Sequence, residues 1–151
     1  MSPESDRGIE WSAAFRGGLA YVVIVFCIGF VFGTLRVLLL VPAIGNTLAV
    51  VAEVPIMLAA SWLVSGWCTR RFAVRDALGT RTAMGAVAFA ALMCIEFGFA
   101  VVLYGDSLMR YLAKFATLPG AIGLATQLLF ATIPALQASR DRRRSAREAS
   151  P

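Results

Sequence analysis

Charge is almost absent from most of this sequence, and that scarcity decides what the chain can fold into. Between Gly17 and Thr69 the only charged residues are Arg36 and Glu53. Between Thr82 and Gly105 the only one is Glu96, and between Phe115 and Ser139 there is none. A membrane-spanning helix needs about 20 predominantly apolar residues. The first stretch is long enough for two such helices, and each of the others for one. Composition agrees. Of 151 residues, 59% are hydrophobic and 15% charged, against about 45–50% and about 25% in soluble domains. A soluble domain this small has too little interior to hide that much apolar surface.

The stretch Pro42-Ala43-Ile44-Gly45-Asn46 divides the first long run. Proline cannot continue a helix, and glycine and asparagine favour turns, so these five residues read as a tight turn. The predicted spans then cover about 18–40, 47–67, 83–104 and 119–138. None shows period-two alternation, so helices are expected rather than a barrel. The fold class is an all-α membrane protein, a four-transmembrane-helix bundle over 17–139. A segment at 1–16 precedes it, and a disordered basic tail at 140–151 follows. The first span follows a mixed-charge segment and is longer than a leader's apolar core. It reads as a signal anchor.

Basic residues set the expected orientation. Arg7 and Arg16 precede span one, four arginines lie between Arg70 and Arg81, and five lie between Arg140 and Arg147. These are 11 of the 14 Lys and Arg residues. The positive-inside rule places both termini and the middle loop in the cytoplasm. The tail acts as a topology determinant or holds anionic lipid. It has no aromatic residues to stack on bases, so no nucleic acid is expected.

Between spans three and four, Leu108, Tyr111, Leu112 and Phe115 recur at helical spacing, with Arg110 and Lys114 on another face. This predicts either a short interfacial amphipathic helix or a continuation of a neighbouring span. Val41-Pro42-Ala43-Ile44-Gly45 and Leu118-Pro119-Gly120-Ala121-Ile122-Gly123 are faintly alike. A tandem duplication of one helical hairpin would produce that likeness.

The polar residues inside the spans are the candidate site. Arg36 and Glu53 lie at equal distance on either side of the first turn, roughly 12–13 Å below its apex at 1.5 Å per residue. Glu96 in span three and Gln127 in span four fall at a similar depth. Charge alone in a bilayer costs at least about 2.5–3.5 kcal/mol, so such groups turn inward and pair. One polar layer of Arg36, Glu53, Glu96 and Gln127 is expected, with Arg36 paired to Glu53. Glu96 is then the carboxyl without a cation, the candidate for proton exchange, and Gln127 can bond to it in either state. Such a layer either fixes helix register or carries a function.

Small residues predict close helix packing. Gly29 and Gly33 form a GxxxG in span one, and Gly85 lies in span three. They pack spans one and three within a chain or join two copies. Pro55 and Pro134 predict kinks in spans two and four.

Gly33-Thr34-Leu35-Arg36-Val37, Val41-Pro42, Gly45 and Glu53-Val54-Pro55, then Met84-Gly85, Glu96, Gln127 and Pro134 together resemble a pattern in an uncharacterised group of small four-span membrane proteins of bacteria. The resemblance covers most of the chain from Gly29 to Pro134. It implies an inner-membrane protein and supplies no activity.

Catalytic chemistry finds little to work with. The chain has no histidine, and its four aspartates (Asp6, Asp76, Asp106 and Asp141) lie outside the spans. Cys27, Cys68 and Cys94 match no metal-site spacing and read as buried small apolar residues. No enzyme, cofactor or metal is expected. The expected function is a non-enzymatic accessory or assembly component of the membrane. Its partners are the lipid bilayer and either a second copy or another membrane protein. The alternative is a small oligomeric proton- or ion-coupled transporter or channel using Glu53 and Glu96.

Overall fold

A computed structural model describes residues 3–148, with side-chain surroundings from residue 10 onward. The side chain of Arg7 and residues 149–151 of the tail lie outside the described residues. The described chain is helical, without strands. Helix α1 spans Pro3–Leu35 and continues through a π-helical turn, Arg36–Leu40, into a single helical turn α2, Val41–Ile44. Then follow α3 (Asn46–Arg71), α4 (Leu78–Tyr104), α5 (Leu108–Ala113), a 3₁₀ turn (Lys114–Ala116) and α6 (Leu118–Glu148). Four helices are long and apolar enough to cross a membrane: Glu10–Ile44, Asn46–Arg71, Leu78–Tyr104 and Leu118–Glu148. The chain is a four-helix bundle of membrane-protein type.

The first turn differs from its sequence reading. The helix does not stop before Pro42 but carries it. A proline ring clashes with the carbonyl four residues back and offers no N–H. Here the Val41 N–H bonds the Arg36 carbonyl, an i→i−5 bond. The wider π turn makes room for the ring. The reversal falls on Gly45 alone, whose φ of 78° lies where a side chain is strained. Helix α4 ends at Tyr104 as expected. Gly105 adopts a left-handed φ of 64°, and the N–H groups of Gly105 and Asp106 return to the carbonyls of Val101 and Ala100.

The connection from α4 to α6 is a separate element, not an extension of either span. Ser107 caps α5 by accepting the Arg110 N–H at 3.3 Å. Thr117 caps α6 by accepting the Gly120 N–H at 3.2 Å, with Pro119 in its first turn. The tail departs from its expectation. Instead of coil from residue 140, α6 runs on to Glu148. An Arg144–Glu148 pair at 2.9 Å, four residues apart, supports it, as does Arg147 in the last turn. Likewise α1 begins at Pro3, well inside the segment expected to precede it.

Around the bundle each span packs on two others: α1 on α3 and α4, and α6 on the same two. Among the described residues the backbones do not approach closely along the diagonals α1–α6 and α3–α4. Spans one and three are therefore neighbours. A duplicated hairpin related by a twofold axis through the bundle would place them at opposite corners, so the packing does not have that symmetry.

The α3–α4 connection lies at the same end as the start of α1 and the end of α6. Arg75 pairs with Glu10, and Arg142 donates to the Asp76 carbonyl at 3.3 Å. The packed core fills this half of the bundle, with Tyr21, Val22, Cys68, Met84 and Ala88 fully enclosed. The Tyr21 side chain bridges the α1–α6 diagonal. Its ring stacks on Phe130 at 4.3 Å, and its hydroxyl donates to the Phe130 carbonyl at 3.1 Å. Two helix pairs come close enough to require glycine. A side chain at Gly18 would meet the Met84 carbonyl at 2.6 Å, where α1 joins α4. One at Gly85 would run into the Ala131 carbonyl, where α4 joins α6. Elsewhere the helices present large apolar side chains outward, such as Val23, Leu63 and Val102. Lipid solvates such a surface and water does not.

Candidate functional site

Above the Tyr21–Phe130 stack, in the half of the bundle that carries α2 and α5, the spans line an open-sided cavity of about 850 Å³. Its lining runs from Tyr104, Lys114 and Pro119 at the α5 end to Val22, Ser61 and Phe130 at mid-bundle. Arg36, Glu53, Glu96 and Gln127 all line it. All four polar residues singled out in the sequence therefore share one space, and each comes from a different span.

They meet as two pairs. Arg36 Nε stands 2.8 Å from Glu53 Oε2. The N–H is not aligned on that oxygen, so the contact is an ion pair and not a hydrogen bond. Arg36 Nη1 donates to Asn46 Oδ1 at 3.2 Å. One guanidinium thus ties span one to the start and the middle of span two. The π-helical turn places Arg36, a setting in which functional side chains are common. On the other wall, Gln127 Nε2 donates to Glu96 Oε1 at 2.7 Å. Gln127 Oε1 is buried and accepts nothing among the described residues. That unpaired acceptor is an open position for an N–H or O–H donor.

Tyr111 is the residue whose role sequence reasoning missed. Its spacing puts it on an apolar stripe facing the interface, yet α5 folds back so that its hydroxyl points at Glu96 Oε2, at a long 3.5 Å. Phe97 and Phe115 hold its ring at 5.4 and 5.3 Å. Burial, and secondly the Glu96 carboxylate, push the Tyr111 phenol up to about 12. It therefore remains a donor at neutral pH. Leu108 and Leu112, from the same stripe, stay exposed.

Asp106 holds α5 in place. Lys114 Nζ donates to Asp106 Oδ2 at 2.5 Å, and Arg110 stands 3.6 Å from Oδ1. The spacing of Asp106, Arg110 and Lys114, four residues apart each time, was the available signal. The Lys114 hydrogen bond is the main cause that holds the Asp106 carboxyl below its usual range. A carboxyl depressed by folding contributes stability above its unfolded pKa, and that stability is lost as pH falls through the lower folded value. Docking of α5 is expected to persist at neutral pH and to loosen only in acid below the ordinary carboxylate range. Asp106→Asn should loosen it at pH 7. Hydrogen exchange of the α5 amides reads this, and an acid-insensitive, unchanged exchange pattern in the variant would refute it.

The predicted packing glycines divide. Gly85 sits against Ala131 of span four. Gly29 faces span two, where the Met57 terminal methyl lies 3.2 Å from the place a Cβ would take. Gly33 has nothing within 4 Å of the corresponding place and lines the cavity. The GxxxG is therefore not the seam between spans one and three. Gly18, outside the motif, forms that seam. Pro55 and Pro134 lie inside helices that continue through them, Pro55 exposed and Pro134 fully enclosed. Of the three cysteines expected to be buried, only Cys68 is enclosed; Cys27 and Cys94 face outward, on the apolar surface of their helices. Among the described residues no group of three His, Cys, Asp or Glu stands close enough to hold a metal ion.

Comparison with protein-family models, with curated proteins and with solved structures finds no match for this chain.

Proposed function

We propose that this chain is a non-enzymatic accessory or assembly component of the bacterial inner membrane, with its termini cytoplasmic and its cavity in the outer half. The arginine distribution carries the orientation, since the end with both termini holds nearly all the arginine. The blind inner end of the cavity carries the function. Phe130 lines it at mid-bundle, and Tyr21 stacks on and hydrogen-bonds to Phe130 just beyond the lining. Its lining reaches no further toward the terminal end than Val22 on α1 and Ser61 on α3. A cavity with such a floor is a socket: it accepts a group from a lipid or a neighbouring membrane protein without passing it across. The open acceptor on Gln127 and the cation-free carboxyl of Glu96 favour a group that donates hydrogen bonds.

A second reading, a proton-coupled carrier, has one observation in its favour. Glu96 faces a glutamine amide and a tyrosine hydroxyl, and both can adapt to either protonation state. One experiment separates the two. In liposomes enclosing a pH-sensitive dye, with an imposed proton gradient, the socket passes no protons beyond the empty-vesicle leak. Flux in the wild type that Glu96→Gln abolishes would overturn the accessory reading in favour of the carrier.

A further inference from the structure

A second cavity, of about 560 Å³, lies at the opposite end of the bundle. It owes its existence to the unexpected length of α6. Two helix faces form it. Trp62, Gly66, Thr69 and Arg70 share one side of α3. Gln137, Arg140, Asp141 and Arg144 share one side of α6, where that helix runs on past Ala138. Arg81, from the start of α4, closes the third wall.

Its floor is polar but already satisfied. Gln137 accepts from Ser65 and donates to the Trp62 carbonyl, both at 2.8 Å. The walls are not satisfied in the same way. Four arginines line the cavity with one aspartate, Asp141. Two carboxylates outside it engage two of those arginines: Asp76 stands 3.7 Å from Arg81, and Glu148 stands 2.9 Å from Arg144. Arg140 lies over the Trp62 ring, 5.2 Å from its centroid, a contact that positions the guanidinium without neutralising it. No acidic group is paired with Arg70 among the described residues. Even with every one of these carboxylates counted, arginine remains in excess.

Guanidinium groups converging from three helices match the oxygen geometry of a phosphate. The tryptophans of this end supply an argument for lipid as the source of such a phosphate. Trp11 and Trp67, both about half exposed, mark this end of the bundle, and tryptophan concentrates at the membrane–water boundary. We propose that this cavity is a binding site for a singly charged phosphate group, held chiefly by Arg70 and Arg140 with Trp62 as its apolar wall. A phosphodiester lipid headgroup and a soluble phosphate present the same chemistry, and the tryptophans favour the lipid. This site is separate from the socket at the other end and does not depend on its reading.

The test uses the full chain in nanodiscs of zwitterionic lipid. Thermal stability is followed as phosphatidylglycerol replaces part of that lipid, and separately as inorganic phosphate is added. The wild type should show a saturable rise with phosphatidylglycerol. In Arg70→Gln/Arg140→Gln the apparent affinity should fall roughly 30-fold, at about 1 kcal/mol for each basic residue. Arg143→Gln/Arg147→Gln removes the same charge from α6 outside the cavity and should leave the affinity near that of the wild type. Saturation by inorganic phosphate at comparable occupancy, lost in the same variant, would support the site and assign it to a soluble anion. No saturable response, or equal losses in the two double variants, would overturn it, because diffuse charge would then explain the binding. Should the double variant fail to fold, Arg70→Gln alone carries the comparison, since that exposed side chain bonds no other element among the described residues.

Discussion

Replacing Gly85 with alanine should destabilise the bundle by roughly 1–3 kcal/mol, the range for forcing extra volume into a packed seam. The added methyl group would occupy the space of the Ala131 carbonyl. That carbonyl belongs to helix backbone and cannot rotate aside as a side chain would, so α4 and α6 must separate. Gly33→Ala is the control. Its Cβ meets nothing within 4 Å, and alanine gains about 0.5–1 kcal/mol over glycine inside a helix. It should be neutral or mildly stabilising. Unfolding in mixed micelles, followed by helical signal against denaturant fraction, measures both. Equal losses at the two positions would show that the α4–α6 seam is not where the bundle is tightest.

The second large effect belongs to the ion pair at the first turn. Arg36→Leu leaves the Glu53 carboxylate in apolar surroundings without its cation. Breaking a fully buried pair costs about 3–5 kcal/mol. Here the side chains keep 23% and 17% of their exposure, so roughly 2–3 kcal/mol is expected after the discount for partial solvation. Arg36→Leu/Glu53→Leu removes both charges and should recover most of that loss, since two leucines at this depth suit lipid. The informative quantity is the coupling in the double-mutant cycle, about 1.5 kcal/mol or more. Losses that simply add would mean that the two side chains are solvated separately.

How much of this was legible in the sequence depends on which force decided each feature. The spans are set by the free energy of moving residues from water to lipid, a property of each residue that needs no partner. The gaps between charges therefore located all four. Pairing across a hairpin follows from counting residues, and Arg36 with Glu53 was legible for that reason. Seams between helices were not, because a glycine's role depends on which backbone faces it. Gly29 and Gly33 form a motif, yet Gly33 faces open space, while Gly18, in no motif, lies against Met84. Pro42 resembles a turn residue because its neighbour Gly45 supplies a real turn. The π turn that accommodates the proline has no composition of its own. The arginine-rich end of α6 has the look of coil because a run of like charge repels itself. The Glu148 partner and the end of the helix dipole offset part of that repulsion. Spacing puts Tyr111 in the right element on the wrong face, since the return of α5 over the bundle depends on Asp106 gripping Lys114.

The circular order of the helices has a consequence for how the protein is made. Helices α3 and α4 follow one another along the chain yet occupy opposite corners, so a ribosome delivers three segments that form an open row with α1 in the middle. Two faces stay unmatched through that stage: Glu96 on one segment and Ser65 on another. Both find their amide in the fourth span, through Gln127 and Gln137. The fourth span is the keystone, and the bundle closes only once that helix has emerged.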